Sequence, residues 1–327
     1  MTTDKQEITA RAHTNIALVK YWGKKDDNLI IPQTDSISLT LADFYTDTTV
    51  AFDDQLSADS LKIDNKPIFD KEALKVQKVL DLVRNLAKIN TYAKVSSTNH
   101  VPMAAGLASS ASGFAALAAA ASRAAGLDLS DTDLSRLARQ GSGSASRSVF
   151  GGFVQWHSGN DNETSFATQI DSAQNWDIKV VALIIKKSRK KHSSTQAMRE
   201  SVETSPYYPV WRQVVAKDLK TITHAIRTHD FDLLGSTSEL NAMRMHALTL
   251  SSDPAFTYFN GQTIELLEKV KELRANNVNC YATVDAGPNI KVLCQSKDLN
   301  QIITVFSQLI GPENVIATEP GSGIQYL

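Results

Sequence analysis

The chain has 327 residues, more than one ordinary core needs and about what two domains require. Hydrophobic residues make up 42% and charged residues 21%, the proportions of a globular chain, which excludes disordered and fibrous classes. With 34 basic and 35 acidic residues the formal charge is −1, so no global excess draws the chain to nucleic acid or an anionic membrane. Two cysteines cannot staple a protein of this size, which points to a reducing compartment. The first twenty residues hold no apolar run, so no signal peptide is expected. The uncharged stretch 101–122 is mostly Ala, Ser and Gly and lacks the large apolar side chains that drive membrane insertion. A cytoplasmic protein is expected.

Residues 15–21, 36–41 and 46–52 read as short strands, the last by its β-branched run TDTTVAF. Residues 69–90 turn helical: Val76, Val79, Leu80, Val83 and Leu86 recur every three or four positions, with Lys75, Lys78 and Arg84 on other faces. A strand at 92–97 precedes the uncharged segment. Ser130 with Asp133 marks a helix start, followed by Leu134, Leu137 and Ala138, with Gly141 as its stop. Another strand fits 153–157, and the polar interval 158–175 reads as a surface connection. The apolar run 178–185 suits a buried strand. Helices follow after Pro206 and Pro209, at 232–248 and at 263–274. Residues 280–285, the turn AGPN and 290–294 read as a hairpin, then come a helix at 299–309 and a strand at 314–318. Pairing Asp285 with Ile290 would put Cys280 and Cys294 on opposite faces of the sheet, against a disulfide. Strands separated by helices, with hairpins among them, give an α+β class. The predicted domains are 1–185 and 186–327.

The most informative stretch is PMAAGLASSASGFAALAAAASRAAG, residues 102–126, a glycine-bearing loop running into an Ala-rich helix. A helix N-terminus offers unpaired N–H groups and partial positive charge, so a phosphate settles there readily. Gly106 removes a side chain where backbone meets anion, and Ser109 and Ser110 add hydroxyl donors. A tightly packed alanine helix with a serine cap explains the same residues, and neither the Walker nor the Rossmann pattern is matched.

The order Pro-x-x-x-Gly-Leu-x-Ser-Ser-Ala resembles the phosphate loop of the GHMP kinase superfamily. Ala108, the stretch NIALVKYWGKKD (15–26), GSGSASRSVFGGFVQW (141–156), KKHSS (190–194) and TVDAGPN (283–289) resemble one branch of it, the diphosphomevalonate decarboxylases. These segments run through essentially the whole chain in that family's order. The resemblance implies an amino-terminal domain like the second domain of ribosomal protein S5 and a ferredoxin-like carboxy-terminal domain, with the active site between them. It implies ATP-dependent decarboxylation of mevalonate 5-diphosphate to isopentenyl diphosphate through phosphorylation of the tertiary hydroxyl, and a homodimer. The same scaffold also suits a decarboxylase of the monophosphate or a 3-hydroxyl kinase.

Residue by residue, Lys20, Tyr21 and Lys24 would face the substrate's diphosphate and reacting centre, though Lys24 to Asp27 also reads as a solvated turn. Arg147, the one charge between Gln140 and His157, has the planar fork that holds a carboxylate by two hydrogen bonds. By resemblance it grips the carboxylate that leaves, with Ser142 and Ser144 on substrate oxygens; Ser146 stands where many members carry cysteine. Asp285, at a strand end before Gly-Pro, is either a turn cap or the group that orients the tertiary hydroxyl and accepts its proton. Gly106, Ser109, Ser110 and Lys190 would meet ATP, and Ser194 the phosphate oxygens beside them. The run KKSRKK (186–191) lacks the interleaved aromatics of a nucleic-acid patch. His224 and His229 lie off a common helix face, so no protein metal cage is expected; magnesium would ride on ATP oxygens. Where the family usually has Pro-x-Asn-Ser-Ser-Ile-Ser, this chain has PQTDSIS, and Asp35 is expected to face away from the diphosphate.

Overall fold

The computed structural model describes residues 7–69, 71–100, 109–185 and 193–327. The first half opens with β1 (Ile8–Val19), a small separate hairpin of β2 (Lys24–Asp26) and β3 (Ile31–Pro32), then β4 (Ser36–Asp53), β5 (Ser60–Ile63) and β6 (Lys66–Pro67). Helix α1 (Lys71–Ala87), β7 (Tyr92–Asn99), α2 (Ser109–Ala124) and α3 (Asp131–Gly141) follow, then a 3₁₀ segment Gly143–Val149 and strands β8 (Phe153–Trp156) and β9 (Ala167–Asp171). The second half runs β10 (Lys179–Leu183), α4 (Ser194–Thr204), α5 (Tyr208–Thr228), α6 (Phe231–Leu250), α7 (Gly261–Ala275), β11 (Cys280–Val284), β12 (Ile290–Cys294), α8 (Ser296–Ile310), β13 (Val315–Thr318) and β14 (Gln325–Tyr326).

Among the described residues the first sheet has the order β14-β1-β4-β7-β5-β6, with β8 pairing with the early part of β4 and β9 with β8. The second is antiparallel, in the order β11-β12-β10-β13. Helix α2 lies on β1 and β4, and its alanines 115, 116, 118 and 119 are fully buried. Methyl-sized side chains let helix and sheet approach closely; a larger residue there would overpack the core by about 1–3 kcal/mol. Helices α7 and α8 cover one face of the second sheet through Val181, Ala282, Val292, Leu266 and Phe306. The opposite face, with Tyr281 and Leu293, joins Ile16 and Leu18 of β1 and Trp211 and Ile226 of α5 in one shared core. The cleft described below lies where these halves meet.

Several sequence expectations need correction. The strands expected at 36–41 and 46–52 are one strand, β4, because Phe44 is buried between exposed Asp43 and half-buried Tyr45 and keeps the alternation through the polar interval. Helix α4 was not expected: it starts at the Ser193 cap, whose hydroxyl accepts the Gln196 N–H, ahead of Pro206 and Pro209. Pro209 then sits in the first turn of α5, where its missing N–H costs nothing. The hairpin register is one residue off the expected one. Val284, not Asp285, pairs with Ile290, so Cys280 lies directly opposite Cys294 on one face. The Gly287 N–H donates to the Asp285 carbonyl, and Asn289 accepts the Ile185 N–H, which keeps Asp285–Asn289 as the connection. Both cysteines are free and buried. The Ser130–Asp133 start of α3 is as expected, with the serine accepting the Asp133 N–H.

Candidate active site

A cleft of about 710 Å³ opens between the halves. Strand β1 ends at Val19, directly before Lys20, and the following turn is pinned from below: Trp22, 1% exposed, donates to Ser201 on α4 at 3.0 Å. Gly23 adopts φ +97°, and a Cβ there would collide with the Tyr208 ring, whose hydroxyl donates to the Trp22 carbonyl. This turn aims Lys20, Tyr21 and Lys24 into one space. Tyr21 packs edge-on to Trp156. Gly143 lets both rings close down on the 3₁₀ segment, since a side chain there would meet Trp156 and Tyr21.

Lys20, 1% exposed, donates to the Ala17 carbonyl and to Asp285 Oδ1, each at 2.7 Å. Asp285 follows β11 and faces a second ammonium, Lys291, at 3.3 Å from Oδ2. Burial alone would raise the Asp285 carboxyl, but Lys20 and Lys291 outweigh it and hold the group well below the usual carboxylate range. Burial lowers the Lys20 ammonium, partly offset by Asp285.

Arg147 is 2% exposed and fixed by neutral partners: Nε and Nη2 donate to Asn15 Oδ1 and Nη1 to Ser36 Oγ at 2.6 Å. Asn15 is locked by its own donations to Ser148 and to the Ser144 carbonyl. Burial lowers Arg147 to about 10, so it stays cationic at neutral pH. Ser142 lies 3.4 Å from Ser110 and from Ser144. Lys24 is held by Asp27 at 3.0 Å, and Asp27 also meets Arg199 of α4.

The cleft thus gathers Lys20, Tyr21, Lys24, Ser110, Ser142, Ser144, Arg147, Ser194 and Asp285 from distant parts of the chain. Ser109 lines an adjoining cavity of about 200 Å³ instead, with Ile63, Ile68, Val76 and Phe114, and Ser110 lines both. Gly106 and Lys190 lie outside the described residues. Asp35 turns away, accepting the Ser158 N–H and a Gln155 amide N–H and lying beside His157. Residues that sequence reasoning did not single out also line the cleft: Asn15, Met198, Met245, and Lys75 and Lys78 of α1. The two lysines, three apart, share a helix face, which was the one available signal. Among the described residues no cluster of three metal-ligating side chains occurs, and no helix is long and apolar enough to cross a membrane.

Residues 12–167 match the family model of the diphosphomevalonate decarboxylase-like N-terminal domain, and residues 180–322 that of the mevalonate 5-diphosphate decarboxylase C-terminal domain. The chain is 36% identical over 325 residues to the diphosphomevalonate decarboxylase of Ganoderma lucidum, spanning 92% of this chain and 81% of that one. It superposes on the mevalonate diphosphate decarboxylase of Staphylococcus aureus with a TM-score of 0.95, at 44% identity and 98% coverage of both chains. A structure of MDDEF in complex with MVAPP, AMPPCP and magnesium gives 0.94 at 47% identity, again with 98% of both chains covered. The two-domain α+β organisation is shared with these structures.

Proposed function

The chain belongs to the diphosphomevalonate decarboxylase family, and we propose that it decarboxylates mevalonate 5-diphosphate with ATP as phosphoryl donor, giving isopentenyl diphosphate. The observation that carries this reading is the pairing, in one cleft, of an ionised Asp285 with a buried Arg147 that keeps N–H donors in hand. An arginine has five N–H donors and this one uses three on Asn15 and Ser36, leaving one on each Nη for a carboxylate.

ATP fits the adjoining cavity by chemistry: apolar walls suit a purine face, and Ser109 and Ser110 at the start of α2 suit its phosphates. Glu72 is the carboxylate on that cavity's wall, beside the hydroxyls of Ser109 and Ser110, and among the described residues no cluster of three metal-ligating side chains occurs; this suits magnesium carried on the nucleotide, where it would neutralise phosphate charge. Ser110 reaches both spaces, so the transferring phosphoryl passes where they meet. Lys24, Ser142 and Ser144 bind the diphosphate, and Lys75 and Lys78 add positive charge to the same cleft. Asp35, turned to Ser158 and Gln155, does not oppose that charge.

Asp285 accepts the hydrogen bond of the tertiary hydroxyl. Its low proton affinity suits orientation more than early proton removal, and phosphoryl transfer through a loose transition state asks little more. The bond from the γ-phosphorus to ADP breaks as the bond to the hydroxyl oxygen forms, and the hydroxyl proton passes to Asp285. The carbon–oxygen bond to the new phosphate then breaks. The electron pair of the carbon–carboxylate bond moves into the new double bond, releasing carbon dioxide and inorganic phosphate. The buried cations around the site stabilise the departing phosphate.

The test is to supply Mg-ATP with mono- and diphosphorylated mevalonate separately and to measure ADP and carbon dioxide together. Equal amounts of both products from the diphosphate alone are expected. ADP without carbon dioxide would make the protein a kinase, and preference for the monophosphate would overturn the substrate.

A further inference from the structure

Lys291 is 1% exposed and lies on β12, in the core of the second sheet. The hairpin register explains where it points. Thr283 pairs with Lys291, and Asp285 is two residues past Thr283, so Asp285 and Lys291 are diagonal neighbours on one face. Their neighbours Ile290 and Val292 point the other way, into the packing against α7 and α8. A register one residue longer would have put Lys291 on that apolar side.

We propose that Lys291 positions Asp285: the carboxylate's two oxygens are divided between Lys20 and Lys291, which fixes it as an aimed negative acceptor for the substrate hydroxyl. The inference rests on the functional reading above for the identity of that hydroxyl. The geometry requires something beyond packing. Among the described residues Asp285 meets Lys20 at 2.7 Å and Lys291 at 3.3 Å, and Arg147 also bears on it electrostatically. His246 of α6, 1% exposed, also faces the cluster among the described residues; burial and Lys20 lower its basicity to about 3, so it is neutral and adds no negative charge.

One acid therefore serves two buried ammonium groups. Burying an ammonium costs several kcal/mol before its partners compensate, a cost that a methionine at 291 avoids. A cation kept against that cost is explained by what it does to Asp285. It restrains the second oxygen and keeps the acid ionised while ATP and the substrate bring in further negative charge.

The experiment compares wild type with Lys291→Met and with Lys291→Gln, which keeps an N–H donor without the charge. For Met we expect unchanged or raised thermal stability, kcat lower by about 100-fold as an acceptor loses its aim, and KM for mevalonate diphosphate within threefold. The acid limb of the kcat profile should move up by about 1–3 pH units, as expected when an adjacent opposite charge is lost. Gln should keep more of kcat yet show the same shift of the limb. A ¹³C-carboxyl titration of Asp285 in wild type and Lys291→Met reads the same shift without turnover, so it separates failure of this inference from failure of the assigned reaction. Unmoved Asp285 titration would overturn the proposal, as would lost stability with an unaltered pH profile, the pattern of a merely structural lysine.

Discussion

Replacing Arg147 with glutamine isolates the proposed grip on the leaving carboxylate. The guanidinium is held by Asn15 and Ser36, and Asn15 by Ser148 and the Ser144 carbonyl, so its orientation is set before any ligand arrives. Two N–H donors remain for the substrate. Hydrogen bonds to charged groups contribute about 1.5–3 kcal/mol each, so losing both removes roughly 3–6 kcal/mol, about 10²- to 10⁴-fold in rate. The fold should tolerate the change, because relief from burying a cation that is 2% exposed offsets the lost bonds to Asn15 and Ser36. ADP and carbon dioxide are followed in one reaction, with nucleotide affinity measured separately by fluorescence titration. Carbon dioxide release should fall by the stated factor and ADP formation by less, with ATP affinity within threefold of wild type. Equal retention of both products would refute the reasoning, and so would a parallel loss of ATP affinity, which would place Arg147 on the nucleotide.

Asp285→Asn should lower turnover by at least about 10³-fold and cost about 3–5 kcal/mol of stability in urea, since Lys20 and Lys291 then face each other without their acid. Adding Lys291→Met to that variant should recover part of the loss; strict additivity would show that the charges do not couple. Because the folded carboxyl titrates below its unfolded value of about 3.9, its contribution is full above that value and fades as pH falls through the folded one; Asp285→Asn should lack that slope. Cys280 and Cys294 are fully buried, and burial pushes their thiols up to about 11 and about 12. A colorimetric disulfide reagent should find no reactive thiol in the native protein and both after denaturation, whereas labelling before unfolding would contradict the packing of that face.

The strongly periodic elements were legible. Val76, Val79, Leu80 and Val83 do form the buried stripe of α1, and the Ser130 cap opens α3. The length of β4 was not, because its exposed Asp43 interrupts the local apolar signal while pairing with β1 and β7 carries the strand on. Local propensity does not see a neighbouring strand. Lys20, Arg147 and Asp285 each sit in a distinctive local setting, a Tyr-Trp-Gly turn, a serine-rich segment and a strand end, but these settings left bland readings open and the family resemblance assigned the roles. Lys291 did not, since its significance lies in register. Shifting the hairpin by one residue exchanges a solvated or core-side lysine for one beside Asp285, and loop composition alone did not reveal where β12 resumes. Lys75 and Lys78 read only as lying off the apolar stripe of the helix, and the fold turns them to the cleft.

The formal charge of −1 conceals how charge is distributed. Lys20, Lys24, Lys75, Lys78 and Arg147 line the cleft and Lys291 stands behind it, against Asp27 and Asp285 as the acids on its wall. A concave surface focuses that excess, so the site favours polyanions although the net charge of the protein does not. The two acids are placed differently. Asp27 is 55% exposed and shared by Lys24 and Arg199, a bridge that an arriving diphosphate can outcompete. Asp285 is clamped between buried ammonium groups and survives ligand entry as a charge. The same electrostatic excess therefore yields at one end, where the proposed function puts the diphosphate, and holds at the other, where it puts the reacting hydroxyl.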